Sequence, residues 1–323
     1  MTKRIILVHG RGFKPERVPF EQTWIEAVSH GLERDRGAGA RSRFDSCVRD
    51  FVYYGEASNA FLSDPSGPYD RNDDLADRRR CLEALQQFEA LKFLEARGRE
   101  NYRGLPGRSS LAATLVDLAA APAAWLGLGA RAIGYRAPDL REYWNPDSEF
   151  GSRVRWKLTE ILEPALRAGD DILLVTHSLG ALIAYDNLWK LSRYAEYREL
   201  FEAGHKVTRW ITLGCPLGNP TVQKNLKGHR ACGARRYPAN IREWINVAAE
   251  GDYIAHDRTV RDDYCGMLEH GLIESIDDQH IFNLAVRHGR SNAHHGVGYL
   301  IHPTVIGAIA DWIDRGMETA ADV

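Results

Sequence analysis

The ten residues Ile172-Leu-Leu-Val-Thr-His-Ser-Leu-Gly-Ala181 pass from an unbroken apolar run into a serine and a glycine. A short apolar run of this kind suits a strand buried on both faces of a parallel sheet. Beyond Gly180 the sequence is helical in pattern to about residue 194, so the stretch reads as strand, tight turn and helix, with Ser178 on the turn. A serine there either caps the helix or presents its hydroxyl at the sheet edge.

The same alternation continues outward. Upstream, residues 4–9 form an apolar strand ended by Gly10. Trp24, Ile25, Ala27, Val28 and Leu32 stripe a helix over 21–35 that the Gly-rich stretch 37–40 ends, and a strand over 48–54 stops at Gly55. A helix over 152–168 precedes the central strand. Downstream come strands at 207–213, 244–247 and 280–286, then a closing helix from Pro303 through Ile306, Ile309, Ala310 and Ile313 to Gly316. Proline suits the first helical turn, where its missing N–H is not needed. Strands alternating with helices predict right-handed βαβ units and a mostly parallel, doubly wound α/β sheet. Residues 56–147 break the rhythm with charged, Pro- and Gly-punctuated sequence holding one clear helix, striped by Leu75, Leu82, Leu85, Phe88 and Leu91. The expected organisation is one domain over 1–323 with a helical insertion or lid at 56–147, ahead of the strand that leads to Ser178.

Composition narrows the function classes. A chain of 323 residues, 44% hydrophobic and 27% charged, builds its core without disulfides or structural metals. With 42 Lys plus Arg against 44 Asp plus Glu, the net charge is too small to draw the whole chain onto nucleic acid or anionic lipid. The basic runs at 78–80 and 230–236 are short and lack interleaved aromatics, so no nucleic-acid partner is expected. Five widely spaced cysteines form no Cys-x-x-Cys pair and read as reduced thiols. The N-terminal apolar run is too short for a signal peptide, and a cytoplasmic location is expected. Residues 111–130 carry only Asp117 as a charge, but the cost of that central Asp, about 2.5–3.5 kcal/mol, roughly cancels the gain from their Leu and Val. They read as a buried or lid helix, not a transmembrane segment.

The stretch Val175-Thr-His-Ser178-Leu-Gly180-Ala181 resembles the nucleophile elbow of the α/β-hydrolase superfamily, in its lipase/esterase-like members. Gly180 meets the demand for a small residue two positions after the serine; Thr176 stands where Gly is usual two positions before it. Val8-His9-Gly10-Arg11-Gly12 resembles the superfamily's His-Gly turn. The resemblance implies an oxyanion hole from the N–H of Leu179 and that of Arg11 or Gly12, with His9 structural. A phosphate loop does not fit, since no Gly-Lys-Ser/Thr follows.

A serine hydroxyl needs a neutral imidazole as base and a carboxylate to orient it, and the superfamily orders them Ser, acid, His. Glu250-Gly-Asp252-Tyr-Ile254-Ala-His-Asp257 resembles the acid loop, which implies Asp252 as the acid, with Asp257 and Glu250 as competitors. Asn292-Ala-His294-His295-Gly-Val-Gly-Tyr299 lies where the superfamily carries its base. The lipase-like pattern of a histidine a few residues before an aromatic and then a proline implies His295, ahead of Tyr299 and Pro303, with His294 the alternative. Adjacent histidines point apart and no carboxylate stands at ligand spacing, so neither a metal nor a cofactor is expected. His177 reads as packing beside the elbow, and Cys215, in Thr212-Leu-Gly-Cys-Pro-Leu-Gly218, as pocket wall.

What the resemblance implies is a serine hydrolase that cleaves a small-molecule carboxylic ester through an acyl-enzyme. Leu115, Leu118 and Trp125 of the insertion would shape an acyl pocket. The same triad would serve an acyltransferase, thioesterase or amidase, and a silent hydrolase fold used for binding is the alternative outside catalysis. The apolar insertion also leaves room for a homo-oligomer.

Overall fold

Strand β1 (Lys3–Val8) sends Ile5 and Leu7 into one core and Ile6 and Val8 into another, and all four are buried. Strict alternation with apolar residues on both sides means that both faces of the sheet are covered. The structure is a computed structural model and describes residues 1–62, 95–106, 138–255, 257–287 and 290–315. Within them β1 lies between β2 (Val48–Val52) and β3 (Asp171–His177). With β4 (Val207–Leu213), β5 (Ile241–Ala249) and β6 (Ser275–Ile281) they form a six-stranded sheet in the order β2-β1-β3-β4-β5-β6, every pair parallel.

Helices Arg17–Arg36, Ala38–Ser46 and Pro303–Asp314 pack on the core of Ile5, Leu7, Leu173 and Val175. Helices Glu149–Arg167 and Leu179–Arg193 pack on that of Ile6, Val8, Leu174 and Trp210. The protein is therefore an α/β fold with helices on both faces of a parallel sheet.

The chain leaves β1 for β2 on one side and returns past β1 to β3 on the other. The strand order thus reverses between β1 and β3, and the C-terminal ends of strands at such a reversal are the usual place for a ligand in such sheets. Both the turn after β1 and Ser178 sit there. Just below that edge Thr176, Thr212, Asn246 and Asp278 lie side by side across β3 to β6. The indoles of Trp210 and Trp244, stacked at 4.6 Å, donate to Thr176 Oγ1 and Thr212 Oγ1, each at 3.0 Å. Thr212 donates to Asn246 Oδ1 at 2.9 Å, and Asn246 donates onward to Asp278 Oδ1 at 2.8 Å and to the Arg258 carbonyl at 3.1 Å. Buried polar groups thus satisfy one another and tie the loop after β5 to the sheet. The Thr176 side chain is held in this row by the Trp210 indole, whose N–H its hydroxyl accepts.

The last sheet strand lies earlier than the sequence indicates: β6 is Ser275–Ile281, and residues 282–285 have left the sheet. Ser275, Asp277 and His280 are exposed on this edge strand and mask the apolar pattern. Gly37 does end the first helix, with φ of 82°, but Ala38–Ser46 starts a second one at once. Strand β2 stops at Val52, and a helix, Gly55–Leu62, begins three residues on.

The described parts of the 56–147 segment are helical: the rest of Gly55–Leu62, then Glu95–Arg103 and Pro138–Trp144. The Leu75 to Leu91 stripe, residues 111–130, and Leu115, Leu118 and Trp125 lie outside the described residues. Among the described residues no helix is long and apolar enough to cross a membrane.

Candidate active site

Ser178 follows β3 directly and precedes the helix Leu179–Arg193. Its backbone adopts φ of 54° and ψ of −121°, and it is the one non-glycine with positive φ among the described residues. The turn is held by its neighbours. The Ser178 N–H donates to the Leu213 carbonyl at 3.0 Å, and a Cβ on Gly180 would lie 2.6 Å from the His9 carbonyl oxygen and 2.7 Å from that of Val8. Only glycine lets the helix start so close to β1. Gly10 is equally cramped, since a Cβ there would meet the Ser178 Cβ at 2.9 Å.

The acid loop begins where β5 ends. Asp252 is buried, and its Oδ1 accepts the N–H groups of Ile254 at 2.9 Å and Ala255 at 3.3 Å. Its Oδ2 accepts the Tyr299 hydroxyl at 2.6 Å. Tyr299 in turn accepts the Ala249 N–H at 2.9 Å, and burial followed by the Asp252 charge pushes its phenol well above the ordinary range. The hydroxyl therefore stays protonated and donates.

Between Ser178 and Asp252 stands His294. Its Nε2 is 3.0 Å from Ser178 Oγ, and its Nδ1 lies 2.9 Å from Asp252 Oδ2 and 3.1 Å from Oδ1. Since the carboxylate can only accept, Nδ1 carries the proton and Nε2 is left to accept from the serine. This corrects the preference for His295: the loop presents the first histidine of the pair, while His295 is the residue before the short helix Gly296–Leu300. The competing acids are engaged elsewhere. Asp257 turns to Thr259, at 3.3 Å to its N–H and 3.2 Å to its hydroxyl, and Glu250 pairs with Arg258 at 2.9 Å.

The turn after β1 brings a second correction. The Gly12 N–H, one of the expected oxyanion donors, is given to Asp139 Oδ2 at 3.0 Å, so it does not serve Ser178. The Arg11 side chain also binds Asp139, its Nη2 at 2.9 Å from Oδ1. Burial opposes ionisation of Asp139, but the Arg11 charge and the Gly12 N–H outweigh it and hold the carboxyl below its ordinary pKa. Leu179, the first residue of its helix, has an N–H with no intrahelical acceptor. His9 is occupied structurally: its Nε2 accepts the Tyr54 N–H at 3.1 Å and its ring stacks on Tyr54 at 3.9 Å.

Cys215 is buried; its thiol donates to Asn246 Oδ1 at 3.2 Å, and burial pushes its pKa up to about 11. A thiol that stays protonated is a poor nucleophile at neutral pH. Among the described residues no group of His, Cys, Asp and Glu could hold a metal ion.

Three residues at this site were not legible as participants. His177 donates from Nε2 to the His294 carbonyl at 2.9 Å, Asn283 donates to the carbonyls of Ala293 and His295, and Asp139 staples the turn after β1. The one sequence signal was Asn283, a lone polar residue in the run Ile281-Phe-Asn-Leu-Ala-Val286. Compared with known proteins, the sequence matches no family model and no curated protein.

Proposed function

We propose that the protein is a serine hydrolase of the α/β-hydrolase, lipase/esterase-like kind, cleaving a carboxylic ester through an acyl-enzyme. The observation that carries this reading is the hydrogen-bond chain from Asp252 through His294 to Ser178, assembled from the turn after β3, the loop after β5 and a loop beyond β6. A histidine bridging a buried carboxylate and a serine on a strained turn supports nucleophilic catalysis far better than it supports a helix cap.

In the proposed reaction Ser178 Oγ attacks the ester carbonyl as its proton passes to His294 Nε2. Asp252 stabilises the imidazolium through Nδ1–H, its carboxylate held in place by the Ile254 and Ala255 N–H groups and the Tyr299 hydroxyl. The C–O bond breaks and the alcohol leaves with the proton from Nε2. Water, deprotonated by the same nitrogen, then releases the acid and restores the serine. The Leu179 N–H, at the positive end of its helix, and the Arg11 N–H are the proposed oxyanion donors, each worth about 3–4 kcal/mol in hydrolases of this kind.

The 56–147 segment is proposed as the lid. Two contacts support this: the Tyr102 hydroxyl donates to the Glu250 carbonyl of the acid loop at 2.8 Å, and Asp139 binds the turn after β1. A fluorophosphonate probe tests the whole reading. A covalent adduct on Ser178, absent from Ser178→Ala, is expected; failure of the folded protein to react overturns it. A panel of soluble esters of graded acyl length then defines the substrate.

A further inference from the structure

We infer that His177 and Asn283 are positioning residues for His294, clamping three consecutive backbone carbonyls so that its imidazole reaches Ser178 and Asp252 together. The inference rests on the reading of those three residues as a triad. Asn283 is fully buried, and its Nδ2 donates to the carbonyls of Ala293 and His295, both at 3.0 Å. Its Oδ1 accepts the Ala285 N–H at 3.0 Å, so the amide has one orientation only. Between those two carbonyls lies that of His294, which accepts from His177 Nε2 at 2.9 Å. A carbonyl carries no proton, so the tautomer of His177 is fixed with hydrogen on Nε2.

The clamp is built for close quarters. A Cβ on Gly298 would sit 2.0 Å from Asn283 Oδ1, so the helix after the loop can approach Asn283 only because that residue is glycine. His177 is wedged between loops, where a Cβ on Gly10 would lie 2.8 Å, and one on Gly296 3.3 Å, from its Nδ1. Its ring centroid is 4.7 Å from that of His294. One side chain therefore touches the turn after β1, the elbow that bears it and the base loop.

The choice of imidazole has a chemical reason. The group beside His294 must donate a hydrogen bond yet carry no charge, because a cation there would oppose formation of the His294 imidazolium. Burial first, then the nearby charges of His294, Lys14 and His295, keep His177 well below its ordinary pKa and hence neutral. Lysine or arginine would donate but bring the charge, and phenylalanine would fill the space without donating.

The test compares His177→Phe, which keeps a flat ring, and Asn283→Asp, which keeps the shape and the acceptor for Ala285 but loses both donors. His177→Gln restores a neutral donor. Three quantities are measured on folded full-length protein: kcat and KM on a soluble short-chain ester, the rate of Ser178 phosphonylation, and the downfield proton resonance of His294 Nδ1–H. Small misplacement of a reacting group costs up to about a hundredfold. On that scale kcat and labelling rate should fall about ten- to hundredfold in the first two variants, with KM within about twofold. The resonance should broaden or vanish, and His177→Gln should recover most of the rate. Wild-type rates and an unchanged resonance in both donor-less variants overturn the inference. If the wild-type protein itself does not react with the probe, the hydrolase reading falls, but the resonance still decides the positioning: its loss in His177→Phe upholds the clamp and its persistence refutes it. Should Asn283→Asp fail to fold, His177→Phe decides alone.

Discussion

Ser178 and His294 meet at 3.0 Å, yet the turn that carries one and the loop that carries the other are held by different means. The turn is local. Its shape comes from the strand before it, the helix after it and a glycine two residues on, and it is strained, with a serine at positive φ. The loop is held from afar, by a side chain 117 residues upstream and by the Asn283 amide, and none of its described non-glycine residues has positive φ. Backbone contacts place Ser178, whereas side-chain hydrogen bonds to carbonyls place His294. Strain at the first should be relievable by a single substitution, and precision at the second should depend on remote donors.

The largest expected effects test whether these two regions form one device. Ser178→Ala and His294→Ala should each lower turnover by several powers of ten with the fold intact by circular dichroism, while His295→Ala keeps most of it. Equal loss in both histidine variants would break the comparison, because the loop would then not present a single imidazole. Asp252→Asn comes next, at roughly four powers of ten in kcat, since an amide can hold the wrong imidazole tautomer.

Smaller effects sharpen the contrast in how the regions are held. Ser178→Gly should be as inactive as Ser178→Ala but more stable in urea, because glycine releases backbone strain of about 1–3 kcal/mol less its own entropic cost of ~0.5–1 kcal/mol. Equal midpoints would mean that the strain in the turn does not exceed the entropic cost of the glycine. Tyr299→Phe removes one donor to Asp252 and orphans the buried Ala249 N–H, so a stability loss of about 1–3 kcal/mol is expected, with turnover reduced less than tenfold.

The last effect, absent near neutrality, concerns His302, which begins the closing helix by accepting the Thr304 N–H at 3.2 Å. Burial, then the charge of Arg34, lowers its pKa to about 3. Below about pH 6.5 the unfolded chain takes up a proton there that the folded one refuses, so stability falls with falling pH until about pH 3, at up to about 1.4 kcal/mol per pH unit. His302→Asn keeps a capping side chain without the titration. Its stability should match the wild type near neutrality and decline less between pH 6 and 4, and parallel curves would refute the assignment.

How far the sequence could be read follows the same division. β1, β3 and β4 were legible because each shows as a mostly apolar, buried run, whereas of β5 only residues 244–247 were, since Arg242 and Glu243 interrupt its start. The edge strand β6 was not legible, since Asp277 and His280 are exposed and dilute the pattern. The helix Ala38–Ser46 hid behind Gly37, whose positive φ ends one helix and starts another without an intervening loop. Gly12 resembled a donor to the site, but the buried carboxylate of Asp139, 127 positions away, takes its N–H.

By itself the sequence determined the alternation of strand and helix and the turn that bears Ser178, whereas the loops of Asp252 and of His294 and His295 were singled out only by the resemblance. The alternation and the turn depend on neighbours within a few residues, whose apolar period and glycine placement are visible in one dimension. Only the tertiary structure decided between His294 and His295. Consecutive side chains in an extended loop point apart, and which one faces Ser178 depends on the torsions of the loop. Those torsions are set by hydrogen bonds from His177 and Asn283, contacts with no local signature in the chain.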